Sequence, residues 1–177
     1  MFSLSQTIRF PGKLSLKSQM ASLDFESENA LYESTKLKTV ARVKELYFKL
    51  LLAYKNIDGI KERGSLFSKV EEAALSLYSL GRGSLHDVII AQTKKYILVE
   101  KEEMLKQKIR SLQAMLNALL GRDVNSPLER PIHLPSTKLH YDIESLLSLS
   151  YERSPEVKVK ENMLKAAKTK LEMAKRE

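Results

Sequence analysis

Residues 78 to 88 read YSLGRGSLHDV, and the reading of this stretch decides the fold. Apolar residues at helical spacing run into it and out of it, yet Gly81 and Gly83 stand at its centre. Glycine inside a helix costs ~1 kcal/mol relative to alanine, so two of them in three residues mark a break. A short break between two helices reverses the chain and produces an antiparallel hairpin. Ser84 is placed to cap the second helix. Asp87, three residues on, completes a capping-box-like spacing with its charge at the positive helix end. Asp is shorter than the Glu or Gln that normally closes the return bond of such a box.

Upstream of the turn, Val40, Val43, Tyr47, Leu50, Tyr54 and Ile57 are separated by alternating threes and fours, the spacing of a coiled-coil seam. A weaker version continues through Phe67, Val70, Ala74 and Leu77. Gly59 and Gly64-Ser65 are the places where this segment could loosen or break. Downstream, Leu98, Leu105, Leu112 and Leu119 recur every seven residues, with Ile109 and Leu116 between them, and Gly121 caps the end. A first helix from about residue 13 to 80 would span roughly 100 Å, and a second helix to about residue 120 roughly 50 Å.

The flanks have a different texture. Phe2, Leu4, Ile8 and Phe10 alternate with Ser3, Ser5, Thr7 and Arg9, with Gln6 on the apolar side, before Pro11-Gly12 ends the pattern. Period two predicts a strand. Taken alone it suits a half-buried strand of a soluble sheet better than a strand of a membrane barrel, which shows the same alternation. Residues 122 to 155 hold Pro127, Pro131, Pro135 and Pro155 and read as an irregular connector with a short helix at DIESLLSLSYE. A last helix then begins with Ser154 as N-cap and Pro155 at its first position. Its expected apolar stripe is Val157, Leu164 and Leu171, with Met163, Ala167 and Ala174.

Composition narrows the function classes. The chain has 177 residues, no Trp and only 7% aromatic residues, which suits long amphipathic helices better than a compact mixed core. The formal charge of +8 would admit an acidic partner, but Lys and Arg are interspersed with Glu, as in VEKEEMLKQKIR. That pattern is a solvated helix face and not a nucleic-acid footprint. There is no cysteine, so no disulfide or thiolate chemistry is open to the chain. The opening MFSLSQTIRF lacks the basic start and continuous apolar core of a signal peptide, and no run of 18 apolar residues occurs.

His86-Asp87 is separated in sequence from His133 and His140, so it reads as polar residues at an exposed turn and not as a metal site. G-R-G-S lacks the preceding strand and the Lys-Ser/Thr ending of a phosphate loop. No nucleophile, base and orienter assemble, and Tyr47, Tyr54, Tyr78 and Tyr96 read as seam packing. The chain is expected to be no enzyme and to need no cofactor.

A strand ending in Pro-Gly-Lys, a very long helix, YSLGRGSLHDVIIAQ, a helix closing with LNALLGRD, and LSYERSPEVK followed by AAKTKLEMAKRE occur in that order. This succession resembles the TolC-type outer-membrane efflux proteins, the outer membrane factors of resistance-nodulation-division type metal and drug pumps. Its most specific pieces are Tyr78-x-x-Gly81-x-Gly83-Ser84-x-x-Asp87-Val88, Leu116-Asn117-x-Leu119-Leu120-Gly121-Arg122 and Ser154-Pro155-Glu156-Val157.

The resemblance implies a mainly α fold: a long antiparallel helical hairpin of coiled-coil type, one N-terminal β-barrel strand and a further C-terminal helix. Residues 1–12 would be a barrel strand in the outer membrane, which reverses the preference from alternation alone. Residues 13–121 would be the periplasmic hairpin with its tip near 81–87, 122–153 an equatorial connector, and 154–177 the start of the next tunnel helix. The chain would then be an internal or truncated piece of a protein that is a homotrimer when full length, held in outer-membrane lipid and periplasm. Gly81, Arg82, Gly83, Ser84, Leu85 and His86 would form the tip that docks on a periplasmic adaptor serving an inner-membrane pump. Asp87 would lie at the aperture. No catalytic, cofactor or metal residues and no nucleic-acid partner are implied.

The channel would act passively, as an exit duct for small molecules or metal ions. A soluble coiled-coil scaffold, or a periplasmic adaptor-like helical hairpin in which the glycine turn is only a bend, is the competing reading. The alternating strand before Pro11 separates them, because a plain scaffold has no use for it.

Overall fold

In a computed structural model the chain is described for residues 12–132 and 140–175. Among these residues there are four helices and no strand: α1 Lys13–Ser79, α2 Leu85–Leu119, α3 Ile143–Arg153 and α4 Pro155–Ala174. The strand expected over residues 2 to 10 lies outside the described residues.

α1 runs 67 residues without a break. Gly59 and Gly64, the expected weak points, are both helical, and a Cβ added at either would meet no atom within 4 Å. The helix passes through them because its packed face continues: Ile57 is buried, and Ile60, Gly64 and Phe67 are half-buried in step. Tertiary packing of one face outweighs a local propensity cost of this size.

The chain packs as two units, one made of α1 up to Val40 with α3 and α4, the other of α1 from Ala41 with α2 and the connector after it. In the second unit α1 and α2 form an antiparallel hairpin. Gln113 Nε2 donates to the Tyr54 hydroxyl (3.3 Å) far from the turn, and Lys95 Nζ pairs with Glu71 (2.8 Å) near it. Leu46, Leu50, Ala53 and Ile57 of α1 form one core with Ile109, Leu112 and Leu116 of α2. Burial follows the seam spacing through Val43, Leu46, Leu50, Ala53 and Ile57, and through Leu105, Ile109, Leu112 and Leu116.

The seam differs from the expected one at its ends. Val40, Val70, Leu77 and Leu119 are exposed, between 38% and 49%, while Leu46 and Ala53 take the inner positions. The wholly buried positions crowd toward the open end of the hairpin. Toward the turn only Val88 and Ala91 are buried, and the seam is completed there by the Glu71–Lys95 pair.

The connector closes the open end through polar contacts. The Asn117 side chain, fully buried, donates to the carbonyls of Val124 (3.1 Å) and Ser126 (2.8 Å). Arg130 forms a two-nitrogen pair with Asp58 and lies over the Tyr54 ring, 5.0 Å from its centroid. Tyr47 Oη donates to the Ile132 carbonyl at 2.8 Å.

In the first unit α4 lies antiparallel to the early part of α1. Glu156 accepts from Lys38 (2.5 Å) and Ser34 (3.4 Å), and Asn162 shares a cavity with Glu26 and Ala30. The buried residues are small or polar: Ser27, Ala30 and Ser34 on α1, and Val159, Asn162 and Thr169 on α4. The expected α4 stripe is not the packed one, since Met163, Leu164 and Leu171 are 53–57% exposed. α3 begins as expected, its N-cap Asp142 accepting from the Ser145 N–H at 3.0 Å. Ser154 occupies the N-cap of α4 with Pro155 behind it, but its side chain makes no capping bond.

Candidate functional site: the hairpin turn

The turn is built from two helix ends and two glycines with different reasons to be there. At the end of α1, Gly81 has φ +68°, a conformation that disfavours any side chain. Its N–H reaches the Tyr78 carbonyl (3.0 Å), and the Arg82 N–H reaches the Leu77 carbonyl (2.9 Å). Those two bonds and the left-handed glycine make a Schellman cap, which satisfies carbonyls that the helix leaves open. Gly83 does not have positive φ. A Cβ there would lie 3.0 Å from Leu77 Cβ and 3.0 Å from the Tyr78 nitrogen, so the missing side chain lets the turn fold back on the last turn of α1.

The start of α2 is capped by Ser84, whose backbone is extended (φ −96°, ψ 140°) and whose hydroxyl accepts from the His86 N–H at 3.1 Å. The Asp87 N–H bonds to the Ser84 carbonyl at 3.1 Å. The Asp87 carboxylate makes no hydrogen bond among the described residues, so the return bond of a capping box is not formed. Its short side chain and first-turn position leave it as a charge at the positive helix end.

All seven residues named from sequence therefore fall at one turn, Gly81 to Ser84 between the helices and Leu85 to Asp87 in the first turn of α2. Arg82, Ser84, Leu85, His86 and Asp87 are exposed and Gly83 is half-buried against its own helix. The turn presents one guanidinium, one imidazole and one carboxylate with nothing around them that enforces a catalytic geometry. Among the described residues no group of three or more His, Asp or Glu is gathered as a metal would need. No described helix is long and apolar enough to cross a membrane, a fact that does not bear on a β-barrel.

Sequence reading named Leu85 for this surface but missed Leu80. Leu80 is 66% exposed immediately before Gly81, and Leu85 is 50% exposed on the other side of the turn. Tyr78 and Leu77, expected in the seam, are also exposed. Leu80 carried a local signal, since it stands between the end of α1 and Gly81 where no further helical turn follows to pack it. Also missed was the closure at the far end, where Asn117 bonds carbonyls 7 and 9 residues on and Arg130 meets Asp58, 72 residues away in sequence and so without local signal.

Comparison of the chain with protein-family models, with curated proteins and with solved structures gives no match.

Proposed function

We propose that the chain is the periplasmic hairpin portion of an outer-membrane channel protein of a tripartite efflux system, and that the turn at 80 to 87 is its docking surface for a periplasmic adaptor. The observation that carries this reading is the exposed, glycine-shaped turn with Leu80 and Leu85 bare on either side, closing a hairpin whose seam thins toward that turn. An apolar pair ringed by Arg82, His86 and Asp87 has the composition of a small protein contact, with an apolar centre and a polar rim. Backbone brought close to the surface by Gly81 and Gly83 adds hydrogen-bonding groups for a partner to reach.

On this reading the full-length protein is a homotrimer in the outer membrane and periplasm and acts as a passive duct, with energy supplied by the pump. The resemblance in motif order supports the assignment. The experiment is to change Leu85→Asp and Arg82→Glu together in the full-length protein and measure adaptor binding and export in cells. Expected are normal trimers with export at least tenfold reduced. Unchanged export would instead favour the free-standing scaffold, in which the turn is only a bend.

A further inference from the structure

One flank of the hairpin carries a groove of about 600 Å³ between α1 and α2. Its floor is apolar and partly buried, formed by Ile60 of α1 and by Leu98 and Leu105 of α2. Above the floor stand Arg63 from α1 and Lys101 and Lys108 from α2. Lys101 and Lys108 are seven residues apart, so they project from one side of α2, about 10 Å from each other along its axis. No carboxylate lines the groove.

The hairpin answers several of its other cations. Lys95 pairs with Glu71, Lys106 with Glu102 and Glu103, Lys49 with Glu45, and Arg130 with Asp58. Arg63, Lys101 and Lys108 make no ion pair with any described residue. Three unanswered like charges around one apolar floor attract an anion, and the floor rewards that anion for carrying a hydrocarbon body. A simple oxyanion would leave the floor wet, and a neutral apolar molecule would leave the charges unanswered. The groove's size falls within the roughly 300–1,000 Å³ usual for small-molecule sites.

We propose that this groove binds a single-chain anionic amphiphile. The hydrocarbon tail lies along Ile60, Leu98 and Leu105, and the acid head sits among Lys101, Lys108 and Arg63. The lysine stems cover the upper part of the tail while their ammonium groups stay at the water boundary. The site is on the flank of the hairpin and does not depend on what the turn docks.

The test is calorimetric titration of the full chain with decanoate below its micelle concentration, with decanol and decylammonium as probes of the same tail. Saturable binding of one decanoate per chain is expected, with decanol at least tenfold weaker and decylammonium not bound. Lys101→Glu with Lys108→Glu is expected to weaken decanoate at least tenfold. Lys44→Glu with Lys55→Glu, which makes the same change in net charge at exposed sites outside the groove, is expected to leave the affinity within twofold. Circular dichroism confirms that both variants keep their helix content. Equal affinity for decanol and decanoate, equal loss in both variants, no loss in either, or no saturable binding would each overturn the proposal.

Discussion

Gly81 and Gly121 occupy the same structural position at the ends of the two hairpin helices. Each follows a leucine, precedes an arginine and has positive φ, +68° and +66°. At Gly121 the Arg122 N–H again reaches back to the Asn117 carbonyl, at 2.9 Å. Alanine at either site is expected to cost about 1–2 kcal/mol, the penalty of a side chain in the left-handed region, as read by urea denaturation. Gly59 gives the opposite sign. It is helical with open space where a Cβ would go, so Gly59→Ala is expected to stabilise by ~1 kcal/mol. Asn117→Ala is expected to cost about 1–3 kcal/mol, since two carbonyls of the connector lose their donor. Its own Oδ1 is buried with no partner among the described residues, which lowers what the wild-type residue contributes. Gly81 and Gly121 were legible because punctuation in a helical pattern is a local signal, whereas Gly59 and Gly64 gave the same signal inside an unbroken helix. The distinct reason for Gly83, a close approach to the previous helix, needed the fold.

At the scale of elements, the α1–α2 hairpin was legible because its buried residues are large and aliphatic and repeat at threes and fours. The α4 face was not. Its seam uses Asn162, Thr169 and Val159 against Ser27, Ala30 and Ser34, and small polar residues carry little hydrophobic signal. The conspicuous leucines of α4 point elsewhere. Leu50→Ala, at a 1% exposed position, is therefore expected to cost about 2–5 kcal/mol, whereas Leu164→Ala in the isolated chain changes stability by less than about 0.5 kcal/mol.

Acid sensitivity also belongs to the elements. Arg130 holds the Asp58 carboxyl below its ordinary range, and Lys95 does the same for Glu71, in each case through a side-chain hydrogen bond first. A lowered carboxylate pKa stabilises the fold above the ordinary range and loses that contribution as pH falls through the folded value. The raised values of Lys95 and Arg130 act oppositely, and their contribution is lost only as pH rises through a strongly alkaline folded value. Melting temperature should accordingly be flat from about pH 6 to 9 and fall below about pH 4. Asp58→Asn should flatten part of that fall. An unchanged acid slope in this variant would show that the Arg130 closure contributes nothing to it.

The described residues expose more large apolar side chains than their packing buries, including Phe25, Tyr32, Ile90, Ile97, Leu164 and Leu171. On the channel reading these are surfaces for neighbouring helices in the trimer. Leu164→Glu with Leu171→Glu in the full-length protein is expected to lower the trimer fraction, measured by light scattering, while helix content stays constant. The mainly helical class was legible from composition and period; the strand expected over residues 2 to 10 lies outside the described residues. The proposed function rests on motif order, because docking surfaces have no residue chemistry of their own that spacing alone can specify.

The most direct measurement uses the absence of cysteine from these 177 residues: an introduced thiol is unique within them, and any cysteine elsewhere in the full-length protein is first changed to serine. Leu85→Cys, or Lys55→Cys on the exposed side of α1, would be labelled with a short photoactivated crosslinker in the full-length protein and mixed with its purified periplasmic adaptor. Docking at the turn predicts a crosslink from position 85 to the tip of the adaptor's helical hairpin and none from position 55. Equal crosslinking from both positions, or none from 85 in a complex that still forms, would contradict it.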